Sequence, residues 1–164
     1  MDNYPYSEVR LSELSKITHS FHIITTSGGH GVDALIIKFV GSYGVGCKGN
    51  GDACYMRAVA SAGLEAWHTG VLVFDFSELD YVWGDMLSTV LSVGKGKVRA
   101  LERLFLGKTS DISDLKPSDI PTLLVVSDRC RKAVRSLLVA EMSEDPVGWM
   151  FDSLQTAISA IPKQ

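Results

Sequence analysis

A glycine-rich stretch is the first part of the sequence whose residue types and spacing could do chemistry. Gly44, Gly46 and Gly49 match the pattern G-x-G-x-x-G between a predicted strand and a predicted helix, and such glycines let the backbone approach a pyrophosphate. Asp75, at the end of the next predicted strand, could meet a ribose hydroxyl. The third glycine precedes the helix, however, and Asp75 comes about five residues later than is usual. Loop 41–52 is therefore either a nucleotide site or an ordinary flexible turn.

Cationic residues form a second set that could bind an anion. Arg129 and Arg131 stand at the start of a predicted helix that continues with Lys132 and Arg135, and Lys48 stands in the glycine-rich loop. Cations beside a helix N-terminus can hold a phosphate or an acidic partner; the alternative is a solvated surface. The Walker pattern fails, because no Ser or Thr follows Lys48. The candidate phosphate ligands are Gly44, Gly46, Lys48, Gly49, Arg129 and Arg131.

The cysteines and histidines offer little support for catalysis or metal binding. Cys54 and Cys130 lie in helical patterns and are predicted to be small core residues, whereas Cys47 lies in the glycine-rich loop. A nucleophilic cysteine needs a nearby base, which His30 or His68 could provide only if folding placed it there. No zinc-type spacing is present. We expect no catalytic residue, no metal and no cofactor.

The composition bounds the class of protein. The chain has 164 residues, a net charge of −3 and 46% hydrophobic residues, so it lacks the excess of Lys and Arg that nucleic-acid binding requires. No apolar run approaches the roughly 20 residues that span a bilayer, and the N-terminus lacks a signal-peptide core. Three cysteines suit a reducing compartment. We expect one cytoplasmic domain over residues 1–164, with no membrane contact.

The periodicity of apolar residues predicts alternating strands and helices. The predicted strands are 21–26, 34–40, 71–76 and 122–126. The predicted helices are 53–67, one beginning near Gly84-Asp85, 98–106, 127–139 and one beginning at Asp145-Pro146 and running to 161. Asp52 or Asn50 is expected to cap the first helix, His68-Thr69-Gly70 to end it, with the glycine at a favoured C-terminal position, and Ser127 to cap the fourth. This order indicates an α/β fold: a mostly parallel sheet flanked by helices, with an N-terminal hairpin.

The turns after the parallel strands are where such a sheet places its ligands. These turns are expected at 41–52, 77–85 and 127–131, with residues 77–83 as a loop between the second parallel strand and the next helix. Strand 71–76 is almost uninterruptedly apolar, so it should lie in the sheet interior beside strand 122–126.

The segment Asp75–Leu87, DFSELDYVWGDML, carries a family resemblance. A strand, Asp-aliphatic-Ser and a short turn into a helix resemble the centre of STAS domains, the fold of anti-sigma-factor antagonists, whose pattern is D-L-S-x-L-x-φ-φ-D-S-S-G-L. Residues 75–82 match its first part, and Trp83-Gly84-Asp85-Met86 stands in place of D-S-S-G. The family's phosphorylated serine falls on Gly84, and Asp85 puts a fixed negative charge beside it; alternatively, Asp85 is simply a helix cap.

A second resemblance leaves another fold open. The helix–strand–loop–helix–strand run is similar to the cores of crotonases and Clp proteases, in which backbone amides of two loops stabilise an oxyanion. Ser127-Asp128-Arg129-Cys130 stands where those families have a glycine-rich signature. This resemblance implies a fold for acyl chemistry, either active or degenerate.

These observations favour a non-catalytic regulatory or protein-binding module, with another protein as its partner. The candidate partner-binding residues are Glu78, Asp80, Tyr81, Trp83 and Asp85. Tyr81 and Trp83 are expected to form an exposed aromatic pair, because Tyr and Trp are enriched at interfaces; alternatively, Trp83 folds back onto the core. The alternative functions are an acyl-group enzyme and a nucleotide-binding protein that uses loop 41–52.

Overall fold

A five-stranded mixed β-sheet forms the centre of the fold. The computed structural model describes residues 6–25, 32–95, 119–141 and 148–161. The strands are β1 (Thr18–Ile24), β2 (Ala34–Ser42), β3 (Val71–Asp80), β4 (Thr122–Val126) and β5 (Met150–Phe151). The helices are α1 (Asn50–Trp67), α2 (Leu87–Leu91), α3 (Arg131–Glu141) and α4 (Leu154–Ser159). The predicted helix 98–106 and the predicted helix start at Asp145-Pro146 lie outside the described residues.

The strand order confirms the predicted α/β architecture. The strands lie side by side in the order β1-β2-β3-β4-β5; β1 is antiparallel to β2, and all the other neighbours are parallel. Leu72 lies beside Thr122 and Phe76 beside Val126, so the two strands expected in the interior are indeed adjacent. The carboxyl ends of β2, β3 and β4 therefore lie on the same side of the sheet.

The side chains of β3 alternate between two buried faces. Leu72, Phe74 and Phe76 point to the first face, where residues of α1, α2 and α3 pack on them. Val71 and Val73 point to the second face, together with residues of α4. All five are at most 4% exposed, and burying each contributes roughly 1.5–3 kcal/mol. This two-sided burial explains the apolar run.

The prediction of one helix through the C-terminal residues is wrong. Met150–Phe151 forms β5, which pairs with Leu124 and Val125 of β4, and the helix begins only at Leu154. Gly148 has a φ of 106°, which interrupts any helix coming from the preceding residues. The Ser153 hydroxyl accepts a hydrogen bond from the Thr156 amide at 3.2 Å and caps α4. A short apolar run fits a strand as well as a helix, so periodicity alone could not separate them.

The predicted N-cap of α1 is wrong, whereas its predicted end is confirmed. Gly49, at the end of a 3₁₀ turn, is the N-cap, so Asn50 and Asp52 lie inside the first turn. At the other end α1 stops before His68-Thr69-Gly70, as predicted, but His68 rather than the glycine adopts the left-handed conformation, with a φ of 45°. Its amide donates to the Leu64 carbonyl at 3.2 Å and closes the helix.

Ser127 does not cap α3 with its side chain. The carbonyl of Ser127 accepts hydrogen bonds from the amides of Cys130, at 3.1 Å, and Arg131, at 2.9 Å. Its hydroxyl is buried without a hydrogen-bond partner among the described residues. A backbone turn thus begins α3.

Candidate functional site

Three turns meet at the carboxyl ends of β2, β3 and β4. We call these turns the rim and define it as residues 43–49, 81–86 and 127–130. The Gly46 amide donates to the Trp83 carbonyl at 3.1 Å and joins the first turn to the second. The Cys130 thiol donates to the Phe76 carbonyl of β3 at 3.4 Å and fixes the third. The structure therefore brings the three predicted turns together.

Strand β3 runs farther than predicted, because a β-bulge extends it to Asp80. The register between β2 and β3 shifts by one residue after the pair Lys38 and Asp75. The buried Asp75 carboxylate accepts a hydrogen bond from the Ser77 amide at 2.9 Å, inside this bulge. The predicted loop 77–83 is thus wrong over its first half. A bulge shifts the alternation of apolar residues along a strand. The sequence pattern therefore predicted that the strand ends at residue 76.

Glu78 and Asp80 consequently lie on β3 at the margin of the rim. Glu78 pairs with Lys38, whose ammonium group holds the pKa of Glu78 below its usual value. Asp80 Oδ1 lies 2.9 Å from Arg129 Nε, and the Ser42 hydroxyl donates to Asp80 Oδ2 at 3.1 Å. Both carboxylates already have partners within the chain.

Tyr81 is not part of an exposed aromatic pair. Its side chain is 2% exposed, and its ring meets that of Tyr43 edge-on, with centroids 5.3 Å apart. The Tyr81 hydroxyl donates to the Gly84 carbonyl at 2.9 Å, and burial raises the pKa of Tyr81 to about 12. After the bulge, alternation turns Leu79 and Tyr81 inward. Trp83, in contrast, is 57% exposed, so it does not fold back onto the core.

The three glycines of the G-x-G-x-x-G pattern have packing roles. A Cβ on Gly44 would lie 2.6 Å from the backbone of its own turn, and one on Gly49 would lie 2.1 Å from Tyr43 Cε1. Gly46 has a φ of 61°, and a Cβ there would lie 2.7 Å from Trp83 Cζ3. These distances are below normal contact, so the chain itself fills the space that the glycines leave.

Two amides of this loop are already used within the chain. The Gly44 amide donates to Asp52 Oδ2 at 2.8 Å, and the Gly46 amide donates to the Trp83 carbonyl. Asp52 Oδ1 accepts from the Ser15 hydroxyl and links the loop to the N-terminal segment. A phosphate cradle needs backbone amides that point at the ligand, and these two do not.

The candidate arginines are likewise engaged by carboxylates. Arg129 pairs with Asp80, and Arg131 pairs with Asp152. Lys48 is exposed in the 3₁₀ turn before α1. The structure therefore does not assemble the six predicted phosphate ligands around one space.

Exposed apolar side chains form the most distinctive surface of the rim. We call them the apolar patch, and its members, with exposed fractions of 55%, 69%, 57% and 38%, are Val45, Val82, Trp83 and Met86. The Trp83 ring lies against Gly46, next to Val45. Asp85 is exposed within the same turn, and α2 has no side-chain cap bond, so Asp85 is not its cap.

The sequence interpretation missed Val45, Val82 and Met86. The available signal was the consecutive pair Val82 and Trp83, since two neighbouring apolar residues at a strand end cannot both point inward. Because the bulge obscured where β3 ends, the sequence alone did not show that this pair lies at the end of a strand.

Gly84 occupies the position at which the STAS resemblance has its phosphorylated serine. It is buried, and a Cβ there would lie 2.9 Å from Tyr43 Cε1. A serine side chain would therefore need Tyr43 to move. Packing accounts for glycine at this position.

The cysteines do not form a nucleophilic site in the described structure. Burial raises the pKa of the Cys130 thiol, which keeps it protonated and poorly nucleophilic. Cys47 is exposed, and so is Cys54, whose predicted place in the core is wrong. His68 closes α1, and His30 lies outside the described residues.

The described residues contain no group of three His, Cys, Asp or Glu side chains that could hold a metal ion. None of their helices has the length and apolar character needed to cross a membrane.

The chain was compared with known proteins. No family model matches it, and no curated protein matches it. Among solved structures it is similar to the crystal structure of an anti-sigma factor antagonist from Mycobacterium paratuberculosis, with 14% sequence identity, 88% of this chain and 94% of that chain covered, and a TM-score of 0.49.

Proposed function

We propose that the chain is a non-catalytic regulatory module that binds another protein through the apolar patch of the rim. The observation that carries this proposal is the exposure of Val45, Val82, Trp83 and Met86 on two turns that hydrogen bonds hold together. Neighbouring apolar side chains on a surface mark interaction sites more often than isolated ones do.

Trp83 has the properties of an interface anchor. Its carbonyl is fixed by the Gly46 amide, and its ring lies on Gly46, so little conformational freedom is left to lose on binding. Trp is also the residue type most enriched among side chains that dominate binding energy. A preorganised tryptophan surrounded by smaller apolar groups is suited to a pocket on a partner.

Polar groups surround this anchor, as they do in protein interfaces. Asp85 is exposed in the same turn as Trp83, Lys48 is exposed in the same turn as Val45, and Asp80 at the end of β3 forms an ion pair with Arg129. Of the candidate residues chosen from the sequence, Trp83 and Asp85 form the proposed contact surface and Glu78 and Asp80 flank it. Tyr81 is buried, and its hydroxyl donates to the Gly84 carbonyl in the turn that carries Trp83 and Asp85.

The proposed binding does not depend on phosphorylation at position 84. The STAS resemblance places a phosphorylated serine there, but Gly84 is buried against Tyr43. Asp85 instead supplies a permanent negative charge next to it. We therefore propose that no phosphorylation at position 84 switches the binding of the partner protein on or off.

The two alternative functions receive less support from the described residues. The glycine loop is filled by its own chain, and two of its amides are bonded internally. Burial raises the pKa of the Cys130 thiol, which argues against a cysteine nucleophile. Nothing in this geometry favours a nucleotide or an acyl group over a protein.

The proposal can be tested with a matched pair of positions. Val82 on the patch and Val139 on α3 are 69% and 58% exposed, respectively. A photo-crosslinking amino acid at position 82 should capture one protein in cells that express the chain, and the same group at position 139 should not.

Affinity for that purified protein then tests the patch directly. We expect Val82→Asp to weaken binding at least about tenfold, because it buries a charge in an apolar contact. Val139→Asp should change binding by less than about twofold. Identical capture at both positions, or unchanged affinity for Val82→Asp, would overturn the proposal.

A further inference from the structure

Exposed apolar residues also concentrate at the N-terminal end of the described chain, outside the rim as defined above. Among the described residues, ten large hydrophobic side chains are exposed, and five of them lie there: Tyr6, Val9, Leu11, Leu14 and Ile23. Four others form the apolar patch, and the last is Val139. Among the described residues, the N-terminal end thus carries a second group of exposed apolar side chains.

Strand β1, which carries Ile23, lies at the edge of the sheet. Its seven residues, Thr18–Ile24, pair with β2 on one side, and no other described strand pairs with its outer side. The opposite edge strand, β5, has only two residues. A long open edge presents unpaired amides and carbonyls that can pair with another strand.

The usual protections of an edge strand are missing from β1. Its sequence THSFHII contains no proline and no Lys, Arg, Asp or Glu, and its pairing with β2 has no bulge. Proteins normally block such edges with charge, proline, a bulge or shortness. Only β5 is blocked, by its shortness.

We propose that β1 pairs with β1 of a second copy of this chain, antiparallel about a two-fold axis through Phe21. Only this register pairs all seven residues of both strands. It sets Ser20 opposite His22 of the second copy, and Phe21 opposite its own equivalent. Because β1 carries no formal charge, the pairing brings no like charges together, and the two five-stranded sheets become one continuous sheet.

Side chains on the first face of the sheet support this register. Phe21 is half-buried against Trp67, with ring centroids 4.8 Å apart. In the dimer the two Phe21 rings meet at the axis, an aromatic cross-strand pair that stabilises antiparallel sheets. Ile23, which is 49% exposed, then lies opposite His19 of the second copy and loses contact with water.

The test uses Ser20 and His22, which are exposed on the opposite face from Phe21. Sedimentation equilibrium should show a reversible dimer of the unchanged chain. The double variant Ser20→Glu with His22→Glu sets two carboxylates opposite each other at two symmetric places, and should weaken the dimer about tenfold. The variant Ser20→Glu with His22→Lys sets opposite charges in those places and should restore dimerisation.

The outcomes also separate this proposal from the function of the rim. Val82→Asp should leave the dimer unchanged, because the rim is not part of the β1 edge. A chain that stays monomeric at all accessible concentrations would overturn the proposal. So would a dimer that both charged variants leave equally strong, or one that Val82→Asp alone dissociates.

Discussion

At the residue scale, Tyr43 determines the shape of the rim. Its side chain is 5% exposed and fills the space beside Gly49 and Gly84, where a Cβ would lie 2.1 Å and 2.9 Å from its ring. The hydroxyl has no hydrogen-bond partner among the described residues, and burial raises the pKa of Tyr43 well above its usual value. The uncharged Tyr43 side chain therefore fills the space between turn 43–49 and turn 81–86.

This packing predicts that Gly49→Ala destabilises the fold. The added methyl group would overlap the Tyr43 ring and the Gly44 carbonyl, at 2.4 Å, so we expect the free energy of unfolding to fall by about 2–3 kcal/mol. The matched control is Asn50→Ala, at the next, exposed position, which should change it by less than about 0.5 kcal/mol. Urea denaturation of both variants measures the difference, and equal midpoints would contradict the role of Tyr43.

The spacing of the glycines revealed an unusual loop but not its cause. G-x-G-x-x-G is expected where a backbone must approach a ligand, whereas here Tyr43 and Trp83 are the groups approached. Tyr43 directly precedes the pattern, but Trp83 lies elsewhere in the sequence and reaches Gly46 only after the strands pair. A local pattern cannot distinguish a ligand from a side chain of the same chain.

At the element scale, β1 and α1 meet through His19 and Tyr55. His19 Nδ1 lies 2.7 Å from the Tyr55 hydroxyl, and the imidazole contacts the Phe21 ring edge-on. Partial burial lowers the pKa of His19 below its ordinary value of 6.5. The folded state thus favours the neutral imidazole more than the unfolded state does.

This shift predicts a dependence of stability on pH. Since the unfolded chain binds the proton more tightly, the stabilising contribution is complete above pH 6.5 and is lost as the pH falls through the lower folded-state pKa. Unfolding free energies measured at about pH 7.5 and about pH 5.5 should therefore differ less in His19→Gln than in the unchanged chain.

The matched control lies on the same strand. His22 points to the opposite face of β1, where its Nε2 lies 3.1 Å from the Ser20 hydroxyl. We expect His22→Gln to retain the larger pH dependence. If His19→Gln and His22→Gln show the same pH dependence of the unfolding free energy, the contact between β1 and α1 is not the source of that dependence.

The elements themselves were predictable to different degrees. The strands 34–40, 71–76 and 122–126 were found because β2, β3 and β4 are buried on both faces, which requires apolar runs. The end of β3 and the whole of β5 were missed. A bulge at Ser77 and a strand of two residues leave no periodic signal, because each depends on pairing with a neighbour.

At the scale of the whole molecule, the order of elements predicted where the rim forms. Parallel strands joined by helices have their carboxyl ends on the same side of the sheet. The turns after β2, β3 and β4 could therefore be identified from the sequence alone. Which rim residues face water could not be predicted. Tyr81 and Trp83 are two positions apart, yet one is 2% and the other 57% exposed, because the turn after β3 changes direction between them.

The two faces of the sheet differ in how firmly they are covered. The first face packs against α1, α2 and α3, whereas among the described helices only the six-residue α4 packs on the second. Leu154 and Ile158 of α4 are only half-buried. Segments with few buried contacts open locally at lower free energy than the core does.

We therefore expect α4 to exchange its amide hydrogens through local opening, while β3 exchanges only through global unfolding. Ser153→Ala removes the hydroxyl that caps the Thr156 amide and costs about 1 kcal/mol, so α4 amides should exchange about fivefold faster. Hydrogen exchange followed by mass spectrometry should show no change in β3. Ser159→Ala, which removes a hydroxyl at the other end of α4, should have a smaller effect. Equal acceleration of α4 and β3 by Ser153→Ala would mean that both faces open together, and that α4 is as integral to the fold as the helices of the first face.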